Sequence, residues 1–113
     1  MRLTNFYSAQ KHTPGQSDTL KISVIVPTLN EASILEDSLR AISGLNPHEI
    51  IVVDGRSTDS TFLIARRMAN LVITSKPGRA YQMNAGAKKA TGDLLLFMHV
   101  DNKLSFESFK KMK

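Results

Sequence analysis

Three short segments of the sequence carry polar side chains of the kinds that bind ligands or metal ions. Thr28 and Glu31 follow one apolar run, Asp54 closes a second, and His99-Val100-Asp101 follows a third. A carboxylate at such a position can accept a hydrogen bond from a base N–H or a ribose hydroxyl. An aspartate is also a suitable ligand for Mg²⁺ or Mn²⁺, since these ions prefer oxygen donors and leave coordination positions for phosphate.

His99 and Asp101 form the candidate metal site. Residues two apart in an extended chain point to the same side, so both side chains could face one ion. Asp101-Asn102 is also typical of a turn, and the local pattern alone favours that alternative.

Arg79 follows Lys76-Pro77-Gly78 and is expected to begin a helix. A guanidinium binds phosphate through two parallel hydrogen bonds, and a helix N-terminus adds backbone N–H donors. Arg79 is therefore a candidate phosphate ligand, with an ordinary exposed arginine as the alternative.

The same polar residues also have structural explanations. Thr28 and Glu31 have the spacing of a capping box, which the local sequence favours for Thr28. Asp54 and Ser57 are typical helix caps, so that a cap and a ligand contact are equally favoured for Asp54. Asp59, expected in a first helical turn, suits the helix dipole, and we favour that structural role.

Strands and helices alternate along the chain and would position these residues. Apolar β-branched runs predict strands, and apolar residues at helical spacing predict helices. We expect strands at 21–27, 49–53, 71–74 and 93–98, a helix with Leu35, Leu39 and Ile42 on its inner side, a second opening at 57–60, and a third over 79–90. The third helix should bury Ala80, Met83, Ala87 and Ala90. Because most of these side chains are small, the helix is expected to pack close to its neighbours.

The predicted fold class is α/β, a Rossmann-like parallel sheet with flanking helices. The strands are continuously apolar, which indicates burial on both faces. Right-handed crossovers then place the carboxyl ends of the strands on one edge, where such sheets bind ligands. We divide the chain into a flexible N-terminal arm at 1–20 and one domain at 21–113.

Composition excludes several classes of protein. The chain has 113 residues, 42% of them hydrophobic, and no cysteine, so disulfide scaffolds and thiolate sites are excluded. No apolar run approaches the roughly 18 residues of a membrane span. The glycine-rich fingerprints of dinucleotide and P-loop sites are absent. We expect a cytoplasmic protein.

The net charge of +5 suits phosphates, nucleic acid or an anionic membrane surface, and a solvated face is the favoured alternative. No nucleic-acid recognition motif accompanies the charge, so no nucleic-acid partner is expected. Peripheral contact with the inner face of a membrane remains among the expected partners.

Four segments in order resemble the family 2 glycosyltransferases, which have the GT-A fold. The matching segments are 22–31, 51–59, 78–87 and 92–101, and the resemblance covers about 21–104. The resemblance implies a nucleotide-diphosphate-sugar donor site. It implies that the following residues contact the nucleotide: Pro27, Thr28, Asn30, Glu31, Asp54 and Arg79.

The resemblance also implies a divalent cation, Mg²⁺ or Mn²⁺, held by Asp101 at the end of a D-x-D motif. His99 stands where the first aspartate of that motif would be. Two further departures are Leu29, in place of an aromatic residue, and Gly55-Arg56, in place of an Asp-Gly pair.

The family's acceptor pocket and general base lie beyond the matched segments, and no candidate base is found here. We therefore expect the donor-binding half of a glycosyltransferase with an unknown acceptor. The alternative is a non-catalytic nucleotide-binding or assembly module, in which a homo-oligomer covers the exposed sheet edge.

Overall fold

A computed structural model describes residues 8–10 and 20–100 and places a five-stranded sheet at the centre of the chain. The elements in chain order are β1 (Ser8–Gln10), β2 (Ile22–Thr28), α1 (Ala32–Ser43), β3 (Glu49–Asp54), α2 (Thr61–Met68), β4 (Leu71–Thr74), α3 (Arg79–Lys89) and β5 (Leu94–Phe97). The strand order across the sheet is β1-β5-β2-β3-β4.

Strands β2 to β5 are parallel, and the predicted α/β class is confirmed. Central strand β2 pairs with both neighbours, so that Val24 lies beside Ile50 of β3 and beside Leu96 of β5. Every residue of β2 is buried. This explains why its apolar run is continuous: helices cover both faces of the sheet.

Strand β1 is antiparallel and pairs with the outer edge of β5, where Ala9 lies opposite Leu95. These residues belong to the predicted N-terminal arm, where the sequence pattern indicates no strand. Pairing over three residues depends on backbone groups, which leave no hydrophobic pattern in the sequence.

Two apolar clusters form the core, one on each face of the sheet. On one face α1 contributes Leu35, Leu39 and Ile42, all fully buried as predicted, and α2 contributes Ala65. On the other face α3 packs against a cluster that contains Ile25.

The inner face of α3 agrees with the predicted one in part: Ala90 is buried, and Met83 and Ala87 are partly buried against the cluster. Ala80 is exposed, whereas Gln82 and Gly86 are buried. A Cβ atom on Gly86 would lie 2.5 Å from Cγ2 of Ile25 and 3.0 Å from Cγ2 of Val53. The helix backbone therefore rests directly on the sheet at Gly86, and this contact sets the rotation of α3.

A single carboxylate joins the amino ends of β2 and β3 to the segment before β5. Oε2 of Glu49 accepts hydrogen bonds from Ser23 Oγ at 2.6 Å, from the Thr91 N–H at 2.6 Å and from Thr91 Oγ1 at 3.0 Å. Ser23 Oγ accepts in turn from the Gly92 N–H at 2.8 Å. Burial raises the pKa of Glu49, but these hydrogen bonds and the charge of His48 outweigh it and hold the pKa below 4.5.

Replacing Glu49 with Gln should lower the free energy of unfolding at neutral pH by about 1–2 kcal/mol, because three donors lose a charged acceptor. The pKa of Glu49 is lower in the folded than in the unfolded chain. Its stabilisation is therefore present above the unfolded pKa and lost as the pH falls through the folded pKa. Urea unfolding at neutral and acid pH measures both effects, with the exposed Glu36→Gln as control. An equal loss in the control, or a loss that persists in acid, contradicts the assignment.

A second prediction concerns the contact at Gly86. Gly86→Ala should lower the free energy of unfolding by about 1–3 kcal/mol despite the higher helix propensity of alanine, since the methyl group overlaps the sheet. Gly44→Ala is the matched control: Gly44 caps α1 with a φ of −64°, and a Cβ there would lie 3.5 Å from the carbonyl oxygen of Ala41, an ordinary van der Waals contact. Thermal unfolding compares the two variants, and equal effects would show that α3 does not rest on Gly86.

Candidate functional site

A cleft of about 290 Å³ opens at the edge of the sheet where β2 and β5 end and α3 begins. We call it the carboxyl-edge cleft. Its lining residues are Pro27, Thr28, Leu29, Glu31, Gly78, Arg79, Gln82 and His99. The structure thus brings together five of the residues predicted from the sequence, which are Pro27, Thr28, Glu31, Arg79 and His99.

Asp54 lies beneath the cleft rather than in its lining. Its side chain is buried, and it accepts hydrogen bonds from Thr28 Oγ1 at 2.8 Å, from Ser57 Oγ at 2.6 Å and from the Ser57 N–H at 2.8 Å. The carboxylate therefore holds Thr28 and the loop after β3 in place. The helix cap predicted as the alternative is wrong, because the N-cap residue of α2 is Ser60 and the Asp54 hydrogen bonds go to Thr28 and Ser57.

The predicted capping box of Thr28 and Glu31 is also wrong. Glu31 is the N-cap residue of α1 and makes no side-chain cap there, while its Oε1 accepts a hydrogen bond from the Leu29 N–H at 3.0 Å. Thr28 is the last residue of β2, where the parallel register sets it beside Asp54 of β3. The Thr28 hydroxyl, which a capping box requires, therefore donates its hydrogen bond to the Asp54 carboxylate on the neighbouring strand.

Asn30 joins the loop after β2 to the loop after β3. Its Oδ1 accepts hydrogen bonds from the N–H groups of Thr58 at 2.8 Å and Asp59 at 3.3 Å, and its own N–H donates to Ser57 Oγ at 2.8 Å. Its φ of 52° is a left-handed conformation that asparagine tolerates. Asn30 thus positions both loops, and its predicted contact with a nucleotide stays a prediction.

Asp59 has the structural role that the sequence favoured, but it precedes α2 instead of lying in the first turn. Its carboxylate accepts hydrogen bonds from the N–H and hydroxyl of Thr61 and, at 3.2 Å, from the N–H of Ala32 at the start of α1. These hydrogen bonds hold the pKa of Asp59 below its ordinary value, and the one from the Thr61 hydroxyl has the largest effect. The start of α1 is therefore tied to the loop before α2.

Gln82 is a residue of the site that the sequence analysis missed. Its Nε2 donates to the carbonyl oxygens of Thr28 at 3.0 Å and Val53 at 2.8 Å, and its Oε1 accepts from the Gly78 N–H at 3.1 Å. The side chain thus ties the ends of β2 and β3 to the start of α3, next to Arg79. The one signal in the sequence was its position one helical turn after Gly78.

The cleft carries charges of both signs. Arg79 is the exposed first residue of α3, and Glu31 lines the same cleft. Burial, and then the charge of Arg79, lower the pKa of His99 from its ordinary value and so favour the neutral imidazole. The guanidinium and the helix N-terminus together favour an anion at this end of the cleft.

The predicted cation site rests partly on Asp101, which lies outside the described residues. Within 20–100, no group of three or more His, Asp or Glu side chains could hold a metal ion. His99 lines the cleft, but the described residues alone do not make up a cation site.

Comparison with known proteins decides the family. Residues 23–113 match the family described as Glycosyl transferase family 2. The chain belongs to this family. Its expected fold and family membership are therefore confirmed.

Curated relatives of this glycosyltransferase-family chain are much longer than it is. It is 35% identical over 92 residues to a dolichol-phosphate mannosyltransferase of Pyrococcus furiosus, covering 73% of this chain and 26% of the relative. It is 38% identical over 91 residues to a PGL/p-HBAD biosynthesis glycosyltransferase of Mycobacterium tuberculosis, covering 73% of this chain and 36% of that protein. The chain spans about a quarter to a third of their lengths.

Solved structures share the fold. Glucosyl-3-phosphoglycerate synthase of Mycobacterium tuberculosis, in complex with Mn²⁺, UDP and glucosyl-3-phosphoglycerate, matches with a TM-score of 0.69 and 27% identity over 82% of this chain and 41% of the synthase. Mannosyl-3-phosphoglycerate synthase of Rubrobacter xylanophilus matches with a TM-score of 0.72 at 23% identity, over 78% of this chain and 33% of that one. The GT-A fold is thereby confirmed.

Gln82→Met should lower the free energy of unfolding by about 1–3 kcal/mol, because a side chain of similar size removes one donor from the carbonyl oxygens of Thr28 and Val53 and the acceptor of the Gly78 N–H. Asn84→Met, at an exposed position on the same helix, is the control. Chemical unfolding measures both variants. If the two lose the same stability, Gln82 does not join the strands to α3.

Proposed function

We propose that this chain is the donor-binding half of a glycosyltransferase, and that the carboxyl-edge cleft binds part of a nucleoside diphosphate sugar. The observation that carries the proposal is the convergence of Thr28, Arg79 and His99 on one cleft, since each comes from a different strand–helix unit. Open α/β sheets bind ligands at this edge.

Each wall of the cleft suits a different part of such a donor. Arg79 offers a two-pronged contact to the diphosphate. Leu29, 45% exposed, provides an apolar surface for the base. The carboxylate of Glu31 has oxygen atoms that suit ribose hydroxyls.

The size of the cleft limits what it encloses. Pockets that enclose a whole drug-sized ligand measure roughly 300–1,000 Å³. A cleft of about 290 Å³ lies at the lower end of that range, so it would hold part of a donor and leave the sugar outside. The sugar would then face the position of the additional segments that the longer relatives possess.

In the proposed reaction an acceptor hydroxyl attacks the anomeric carbon of the sugar, and the nucleoside diphosphate leaves with its electron pair. Arg79 stabilises the negative charge that develops on the leaving diphosphate. The proton of the acceptor passes to a general base that the described residues do not supply. Donor binding is therefore the step that we assign to this chain.

A divalent cation beside the diphosphate belongs to the proposal as well. It would supply positive charge to the leaving group. Support comes from the structural neighbour that holds Mn²⁺ together with UDP. Ligation by Asp101 and His99 stays a prediction, since only His99 is among the described residues.

Calorimetric titration with UDP-, GDP- and dTDP-sugars, each with Mn²⁺ and with a chelator, tests the proposal. One donor should bind, and more tightly with Mn²⁺. Arg79→Gln should weaken binding at least tenfold, about the effect of losing a hydrogen bond to a charged group. Lys89→Gln, which removes the same charge from the other end of α3, should bind like the unchanged protein. No binding by folded protein across the whole panel would overturn the proposal.

A further inference from the structure

One long segment of the chain is free of acidic residues. Positions 60–92 contain six Lys or Arg residues and no Asp or Glu. Of the large apolar side chains that the structure leaves exposed within 20–100, three of five lie in the same segment: Leu63, Leu71 and Tyr81. Positive charge and exposed apolar surface thus occur together.

Helix α2 presents both features on one side. Its Thr61 and Ala65 are buried against the rest of the domain. Leu63, Arg66 and Arg67 are exposed. The two arginines lie three and four residues after Leu63, which is the spacing of a single helix face. We call these three residues the α2 outer face. Leu63 is 63% exposed, and a groove of about 670 Å³ lies along Leu63, Arg66 and Arg67.

The positive charge of the α2 outer face is not compensated within the described residues. Neither Arg66 nor Arg67 has an ion-pair partner among them. Arg40 on α1 provides the contrast, because Glu36 lies 2.6 Å and Asp37 3.5 Å from its guanidinium. The arginines of α2 are therefore available to an external anion.

We propose that the α2 outer face docks onto a bilayer surface that contains anionic lipid. Leu63 enters the boundary between headgroups and acyl chains, while Arg66 and Arg67 bind lipid phosphates above it. A leucine flanked by cations on a helix that lies flat is the pattern of interfacial binding, which combines apolar burial with attraction to anionic lipid. A purely acidic partner would match the arginines but would leave Leu63 in water.

Docking through α2 is independent of donor binding. It uses none of the residues that line the carboxyl-edge cleft, so either proposal can fail while the other stands.

Co-sedimentation of the full chain with vesicles tests the docking. The protein should bind vesicles of phosphatidylcholine with about a third phosphatidylglycerol, should not bind phosphatidylcholine alone, and should be released by salt. Arg66→Gln with Arg67→Gln should weaken binding about thirtyfold, and Leu63→Gln about tenfold. Arg40→Gln with Lys89→Gln loses the same charge elsewhere and should change binding less than about threefold.

Three outcomes would overturn the proposal. The first is that the unchanged protein does not bind the anionic vesicles. The second is that the two double variants lose binding equally, which indicates attraction to the overall charge. The third is that soluble polyglutamate binds in an Arg66- and Arg67-dependent manner while vesicles do not, which identifies an acidic polypeptide as the partner. Helix content by circular dichroism is compared for every variant, so that loss of folding is distinguished from loss of docking.

Discussion

The hydrogen bond from Thr28 to Asp54 determines the architecture of the site more than any other contact. It joins the last residues of the two central strands, and both side chains are buried. The loops that follow are then joined by Asn30, whose amide oxygen accepts from the second loop. A buried carboxylate is stable only when its oxygens are hydrogen-bonded, so the ends of these loops have little freedom. These hydrogen bonds within the fold therefore hold the two loops beside the cleft.

The close approach of α3 to the sheet determines where the positive charge of Arg79 lies. Gly86 allows the helix backbone to touch the side chains of the sheet, and Gln82 anchors the start of the helix to the carbonyl groups of β2 and β3. Arg79 then begins the helix at the edge of the cleft. A side chain at Gly86, or the loss of the Gln82 amide, would therefore act on the guanidinium from a distance. Packing on one face of the sheet thus positions the residue that we propose as a ligand of the diphosphate.

Much of the fold followed from pattern. Continuous apolar runs predicted buried parallel strands, and Leu35, Leu39 and Ile42 predicted the inner side of α1, because both depend on local periodicity. The short cross-strand pairing of Ser8–Gln10 depends on backbone groups and left no pattern. For α3 the prediction followed the small residues and chose Ala80, whereas a missing side chain at Gly86 decided which face lies on the sheet.

The sequence by itself determined the family, the order of the parallel strands and helices, and the group of polar residues at the strand ends. Only the tertiary structure decided what each of those residues does. Asp54 and Asn30 are candidate ligand contacts in the sequence, and the fold gives each a role in holding loops through partners that include residues 26 to 29 positions away. Their contact with a nucleotide stays a prediction. Gln82 looked like an ordinary helix residue and proved to join two strands. The residue types identify the groups that can form hydrogen bonds. Which groups are paired with each other depends on the fold.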